Sequence, residues 1–277
     1  MSSQPSLSRP ADLYTCTHVA EPTLERCADI DEAALGFFAA QGYLSIRRAF
    51  SPSQVQAAAA AVDNLIGGSN PSFRGVQFEA GVGNKDVLSA EQQCLSVRKL
   101  MSFVDYHPDL QALAFDASIF EVLTQLMGET PVLFQNMALL KPPGGREKPW
   151  HQDMAYFNVP PNASVVGVWI ALDPATTDNG ALRIMPGSHR VGPQDHFKRR
   201  DWQICDTDVA IGEDVAVPLP PGGALFWHGL TQHGSPTNDS DSRRRALQFH
   251  YRPESTVEGT TEDRLQIYGG DVRGAEC

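Results

Sequence analysis

From Pro131 to Tyr251 the chain is written as short apolar runs separated by turn residues, and this rhythm limits the possible folds more than any other feature. The runs fall at 132–140, 150–154, 165–172, 181–185, 215–218, 223–228 and 244–251. Each has the length of a strand and is too short for an amphipathic helix. Between them lie turn clusters such as Pro142-Pro143-Gly144-Gly145 and the stretch from Ser235 to Ser242. Glycine, proline, serine and asparagine favour turns because they supply unusual dihedrals or bond their own backbone. Short strands at this spacing predict an antiparallel sandwich or barrel.

The first half reads differently. Asp31 to Ala40 carries an apolar stripe (Ala34, Leu35, Phe37, Phe38) that predicts a helix closed by Gly42, and Tyr43-Leu44-Ser45-Ile46 then reads as a strand. Ser51-Pro52-Ser53-Gln54 is a capping box with proline at the first helical position, so a helix should run to Ile66 and stop at Gly67-Gly68. Helical pattern returns between Leu110 and Met127, whereas residues 69–96 show no clear period. Residues 1–28 are rich in Ser and Pro and read as a loosely ordered arm. The expected organisation is α+β: the arm, then one domain over 29–277. Within it come a helical part (29–130), a β-rich core (131–252) and a C-terminal extension (253–277).

Acidic residues number 33 against 22 basic, for a net charge of −11, so no cationic excess exists to neutralise the phosphates of a nucleic acid. The five cysteines show no C-x-x-C spacing, and neither a disulfide framework nor a zinc knuckle is expected. The start lacks a basic segment followed by an apolar run, and the longest apolar stretch, Val165 to Leu172, is too short to span a bilayer. These features point to a soluble cytoplasmic protein that acts on a small molecule. They leave its oligomeric state open.

Chemistry enters with Trp150-His151-Gln152-Asp153. On a strand, residues two apart share a face, so His151 and Asp153 can hold one metal ion if a distant strand brings a third ligand. His233 is the candidate. Two imidazoles and one carboxylate on one face of an octahedron leave three positions open, the pattern of non-haem Fe(II) oxygenases. If the turn run after His233 is a hairpin end, Arg244 lies opposite His233 on the same face, placed to grip a carboxylate through two parallel hydrogen bonds. A one-residue slip would present Arg243 or Arg245 instead. A 2-oxo acid with a second, distal carboxylate suits such a pair of sites.

At this point the chain resembles the phytanoyl-CoA dioxygenase family of Fe(II)- and 2-oxoglutarate-dependent oxygenases. The resemblance rests on Trp150-His151-Gln152-Asp153, Gly167 to Leu172, Asn179-Gly180-Ala181-Leu182, Met185 to His189, His233-Gly234-Ser235 and Arg244, in that order. It implies a double-stranded β-helix, or jelly roll, with flanking N-terminal helices. It also implies iron on His151, Asp153 and His233, and the distal carboxylate of 2-oxoglutarate on Arg244 with Ser235. Gln135, Met137 and Leu139 would line the cosubstrate pocket, and Trp169 would pack against 2-oxoglutarate. His189 is expected in a structural turn. Family halogenases have a small residue where Asp153 stands, so the resemblance implies hydroxylation or another oxidation with O2, releasing succinate and CO2. By analogy, loop 69–96 and segment 193–212 would cover the site, with Arg74, Gln77, Phe78 and Lys85 as candidate substrate contacts. The expected substrate is a small metabolite or natural-product intermediate, with an acyl-CoA thioester as the alternative. Two other readings are a non-catalytic metal-binding jelly roll and a zinc hydrolase; neither accounts for a carboxylate clamp at Arg244.

Overall fold

In the computed structural model the described residues are 10–79, 82, 88–270 and 277. Lys85, one of the candidate substrate contacts, lies outside them. The strands are β1 (Tyr43–Ile46), β2 (Val76–Phe78), β3 (Val97–Met101), β4 (Pro131–Lys141), β5 (Lys148–His151), β6 (Val166–Ala171) and β7 (Leu182–Ile184). They continue as β8 (His196–Lys198), β9 (Trp202–Ile204), β10 (Val215–Val217), β11 (Ala224–His228), β12 (His233–Ser235) and β13 (Arg244–Pro253). The helices are α1 (Glu32–Gln41), α2 (Pro52–Ile66), α3 (Ala90–Ser96), α4 (Pro108–Ala114), α5 (Ala117–Met127) and α6 (Thr261–Tyr268).

Two antiparallel sheets form the jelly roll. The major sheet runs β1-β11-β6-β13-β4-β3-β2 and the minor sheet β10-β7-β12-β5. The seven anticipated runs all carry strands. Three strands from the N-terminal half (β1, β2 and β3) complete the major sheet, so helices and sheet are interleaved there.

The apolar pattern shows how the layers stack. On β6, Val166, Val168 and Ile170 face a core shared with α2, α4 and α5, while Trp169 and Ala171 face Leu182, Ile184 and Val217 of the minor sheet. A strand covered on both sides needs apolar residues at every position, which explains the unbroken run at 165–172. The capping box at α2 forms as expected: Gln54 Oε1 accepts from the Ser51 backbone amide at 2.9 Å. The anticipated helix at 110–127 is two helices, because Asp116 caps a new start by accepting from the Ser118 amide at 3.0 Å.

Two expectations are corrected. Of the loose arm expected at 1–28, residues 1–9 lie outside the described residues, and residues 10–28 are docked on the core. Leu13 is buried with Trp150, Met185 and Ile204, Val19 bridges to Ala216, and Leu24 bridges to Ile46. A few apolar anchors within a Ser/Pro-rich stretch suffice to dock it, and composition alone understates them. Second, Cys205 and Cys277 form a disulfide across 72 residues, with their Cα atoms 5.5 Å apart. Such a long-range pair leaves no trace in local spacing, and the cysteine pattern therefore gives no argument for a reducing compartment. No helix among the described residues is long and apolar enough to cross a membrane.

Candidate metal centre and cosubstrate cavity

His151 closes β5, and its register partner across the minor sheet is His233 on β12. Directly opposed residues on an antiparallel pair project to one side, and the two imidazole centroids lie 4.2 Å apart. Asp153 is not on the strand. It opens a 3₁₀ turn, Asp153–Tyr156, after extended Gln152, and this turn swings its carboxylate back beneath the two rings. Donor atoms of His151, Asp153 and His233 all fall within 4.8 Å of one another, in a buried setting.

The backbone sets the tautomers. His151 Nδ1 donates to the Pro149 carbonyl at 2.8 Å and His233 Nδ1 to the Thr231 carbonyl at 3.0 Å, since a carbonyl can only accept. Each Nε2 lone pair is therefore directed at the shared centre, 3.5 and 3.6 Å from the Asp153 oxygens. Burial pushes His233 down to about 3, so it is neutral, as a metal ligand must be. Burial alone would raise Asp153, but His250 beside it holds its carboxyl well below the usual range.

Asp153 is held by two residues that the motif does not reveal. Its Oδ2 accepts from Trp227 Nε1 at 2.8 Å and from His250 Nε2 at 2.8 Å. Both donors come from the major sheet, so the carboxylate is gripped across the sandwich. Gly167 makes this possible: a Cβ there would meet Trp227 Cε2 at 2.4 Å. The missing side chain lets the indole lie across β6. The sequence signal for His250 was period two from Arg244, which puts residue 250 on the cavity face; no such signal existed for Trp227. Partners that orient a metal ligand typically affect metal affinity by about 10–100-fold. Trp227→Phe and His250→Phe should each weaken Mn(II) binding within that range, and Gly167→Ala should do the same by displacing the indole. Wild-type affinity in all three, measured by calorimetry, would show that Asp153 needs no such support.

The three side chains open onto a cavity of about 270 Å³ between the sheets. Gln135, Met137 and Leu139 line it, as the alternation on β4 predicts, and Ser235 and Arg244 join them. Arg244 arrives by a different route from the one expected. β12 and β13 are not a hairpin: β12 pairs with β5 and β7 in the minor sheet, and β13 pairs with β4 and β6 in the major one. Residues 236–243 form an arch between the sheets, knit by Asn238, whose Nδ2 donates to the Lys141, Pro142 and Ser242 carbonyls. An arch and a hairpin use the same turn residues, so the sequence could not separate them. Arg244 therefore faces His233 from the opposite wall.

Arg244 is 2% exposed, and its Nε and Nη1 have no hydrogen-bond partner among the described residues. Burial pulls its pKa down to about 10. Its guanidinium lies 5.1 Å from the Trp169 ring centroid, and Trp169, wholly buried, props the arginine without lining the cavity. Arg243 and Arg245, on the other face of β13, are committed to ion pairs with Asp63 and Asp173. His189 bonds the Ala39 carbonyl in a turn away from the centre.

The cover differs in detail from expectation. Asp201, in the β8–β9 hairpin, lines the cavity and accepts from Lys148 Nζ at 2.8 Å, while Tyr156 donates to the Trp202 carbonyl at 2.5 Å. From the other loop Glu79 reaches the cavity, but Arg74, Gln77 and Phe78 do not: Arg74 bonds the Pro71 carbonyl, Gln77 is exposed, and Phe78 packs on the helical core.

The comparisons with known proteins agree with this geometry. The family model for phytanoyl-CoA dioxygenase (PhyH) matches residues 38–246. A Danio rerio protein, phytanoyl-CoA dioxygenase domain-containing protein 1, is 31% identical over 170 residues, covering 58% of this chain and 58% of that relative. The chain thus spans under two thirds of the relative's length. Among solved structures, EvdO2 from Micromonospora carbonacea var. aurantiaca complexed with 2-oxoglutarate superposes with a TM-score of 0.66 at 26% identity, covering 86% of this chain and 97% of that one. The carbocyclase SnoK from nogalamycin biosynthesis shares the fold, with a TM-score of 0.65 at 22% identity over 91% of this chain and 96% of its own. A matching model over most of the chain, on a jelly roll that assembles the motif residues in one cavity, shows that this chain belongs to the phytanoyl-CoA dioxygenase family.

Proposed function

We propose that this chain is an Fe(II)- and 2-oxoglutarate-dependent oxygenase that hydroxylates or otherwise oxidises a small metabolite or natural-product intermediate. One observation carries the proposal: a buried cluster of two imidazoles and one carboxylate faces, across a cavity between the sheets, an arginine whose Nε and Nη1 have no hydrogen-bond partner among the described residues. The donor set suits Fe(II), with nitrogen and oxygen ligands and open positions. His151, Asp153 and His233 would hold the metal, and Arg244 with Ser235 would hold the far carboxylate of 2-oxoglutarate. Bound Fe(II) supplies the redox chemistry that couples decarboxylation of 2-oxoglutarate by dioxygen to oxidation of the substrate.

The chain's own contribution is positional. The carbonyls of Pro149 and Thr231 keep both imidazoles in the ligating tautomer, and Trp227 and His250 occupy one Asp153 oxygen so that the other remains to bind. Asp153 itself favours hydroxylation over halogenation, because its carboxylate would hold the metal where a halide would otherwise be needed as ligand. Arg244, on the same cavity as the cluster, would receive the far carboxylate of the cosubstrate. The β8–β9 hairpin, tied down through Asp201 and Trp202, shields the chemistry from bulk water.

The net charge of −11 is a poor guide to the substrate, because Arg98, Lys99, Arg146 and Lys148 all reach the cavity wall. SnoK, from nogalamycin biosynthesis, supports a natural-product role, and the family name supports a CoA thioester. The deciding experiment supplies the full chain with Fe(II), ascorbate and 2-oxoglutarate and screens a metabolite pool for stimulated succinate release. Stimulation by small metabolites supports the proposal, and stimulation by acyl-CoA alone redirects the substrate assignment. No succinate under any condition rejects the oxygenase.

A further inference from the structure

Arg244 is not the only buried cation on that wall. Lys141, the last residue of β4, is its direct register partner on β13, and the two side chains project to the same side. Lys141 is 7% exposed, lines the same cavity, and forms no ion pair among the described residues. Its Nζ donates to Ser235 Oγ at 2.7 Å and to the Pro236 carbonyl. The acids that act on this pair from a distance are spoken for: Glu147 is bound to Arg200 at 2.6 Å, Glu79 to Arg146 at 3.1 Å and Asp173 to Arg245 at 2.8 Å. Like charges directly opposed on a strand pair repel, and burial without a counter-charge adds to the penalty. Burial first, and then the charge of Arg244, lower the Lys141 pKa well below the ordinary lysine value.

The surroundings are shaped for the lysine. Gly180, at φ +83°, would place a Cβ 2.9 Å from Lys141 Cδ, and Gly145 would place one 2.8 Å from its Cγ. Two glycines thus clear the path of the stem, one of them in the Asn179-Gly180 motif. An apolar residue would fill such space without an unpaired charge, so the arrangement makes sense when an anion completes it.

We infer that Lys141 is a second cationic anchor for the distal carboxylate of the 2-oxo acid, acting beside Arg244 and through Ser235. An ammonium has hydrogens only to give, so Ser235 Oγ accepts from Lys141 and its own hydrogen is left to donate elsewhere. Lys141 thereby sets the Ser235 hydroxyl to point its hydrogen at the carboxylate. Two of the three Nζ hydrogens are engaged by Ser235 and Pro236, which leaves one for the ligand. The inference rests on the oxygenase assignment above, and it assigns to Lys141 a role in choosing a dicarboxylic over a monocarboxylic 2-oxo acid.

The test compares 2-oxoglutarate with 2-oxopentanoate, the same chain without the distal carboxylate, titrated into the Mn(II)-loaded full chain without dioxygen. The wild type should prefer 2-oxoglutarate. Lys141→Met should weaken 2-oxoglutarate about tenfold or more, as loss of a charge-assisted hydrogen bond would, and leave 2-oxopentanoate within about twofold. Its metal-free melting temperature should not fall, because an unpaired buried charge has been removed. Equal weakening of both ligands, or no change in their ratio, overturns the inference and leaves Lys141 as a prop for the arch. Ser235→Ala should narrow the ratio as well and add little to Lys141→Met, because the two act as a unit. If Lys141→Met does not fold, an unchanged ratio in Ser235→Ala is the overturning result. Failure of the wild type to bind either acid rejects the oxygenase assignment instead, so the two failures are told apart.

Discussion

Asp153→Ala should abolish metal binding and, with it, all succinate formation. Asp153 supplies the cluster's one carboxylate, and without it two imidazoles must hold a divalent cation unaided. The substitution also orphans the Trp227 and His250 donors, both wholly buried. Each unsatisfied donor costs about 1–3 kcal/mol, so the metal-free protein should melt several degrees lower than the wild type. Calorimetric titration with Mn(II) and a thermal melt of the metal-free protein measure the two effects separately. Metal affinity close to wild type would remove Asp153 from the ligand set. An unchanged melting temperature would instead show that Trp227 and His250 find other partners.

Arg244→Met is expected to separate cosubstrate binding from folding. The guanidinium's Nε and Nη1 make no hydrogen bond among the described residues, and its main contact is the Trp169 ring, a cation–π pair worth about 0.5–2 kcal/mol. Loss of that contact is offset by removal of a buried, unpaired charge. Metal-free stability should therefore change little. The 2-oxoglutarate requirement should rise by about 10–150-fold, equivalent to roughly 1.5–3 kcal/mol for a charge-assisted hydrogen bond, with Mn(II) affinity unaltered. Arg245→Ala is the control. Arg245 is tied to Asp173 at 2.8 Å and Asp63 at 2.9 Å on the far face, so its loss should lower stability and leave cosubstrate affinity alone. A raised requirement in Arg245→Ala, or an unchanged one in Arg244→Met, would reverse the assignment within the Arg243-Arg244-Arg245 triplet.

The residues differ in how readily the sequence revealed them. His151 and Asp153 were legible because two ligands two positions apart are a local pattern that survives whatever the backbone does between them. The pattern survived even though Asp153 proved to be on a 3₁₀ turn and not on the strand. Arg244 was legible for a reason that turned out differently. The inferred hairpin is an arch between sheets, yet alternation along β13 still directs residue 244 inward and residues 243 and 245 outward. Gln135, Met137 and Leu139 followed from the same alternation on β4, and its continuation would have reached Lys141.

Trp227, the docked segment 10–28 and the Cys205–Cys277 disulfide were not legible. Each depends on which distant segments come together, and no local period encodes that. Taken alone, the sequence determined the strand rhythm, the faces of each strand and the types of ligand, because these follow from side-chain chemistry and backbone period over a few residues. Tertiary structure decided which sheet each strand joined, what supports Asp153, and which arginine and lysine lack a counter-charge. Those outcomes depend on sheet pairing between residues as far apart in the chain as Tyr43 and Trp227, where burial and partner choice are settled only when the two sheets close on each other.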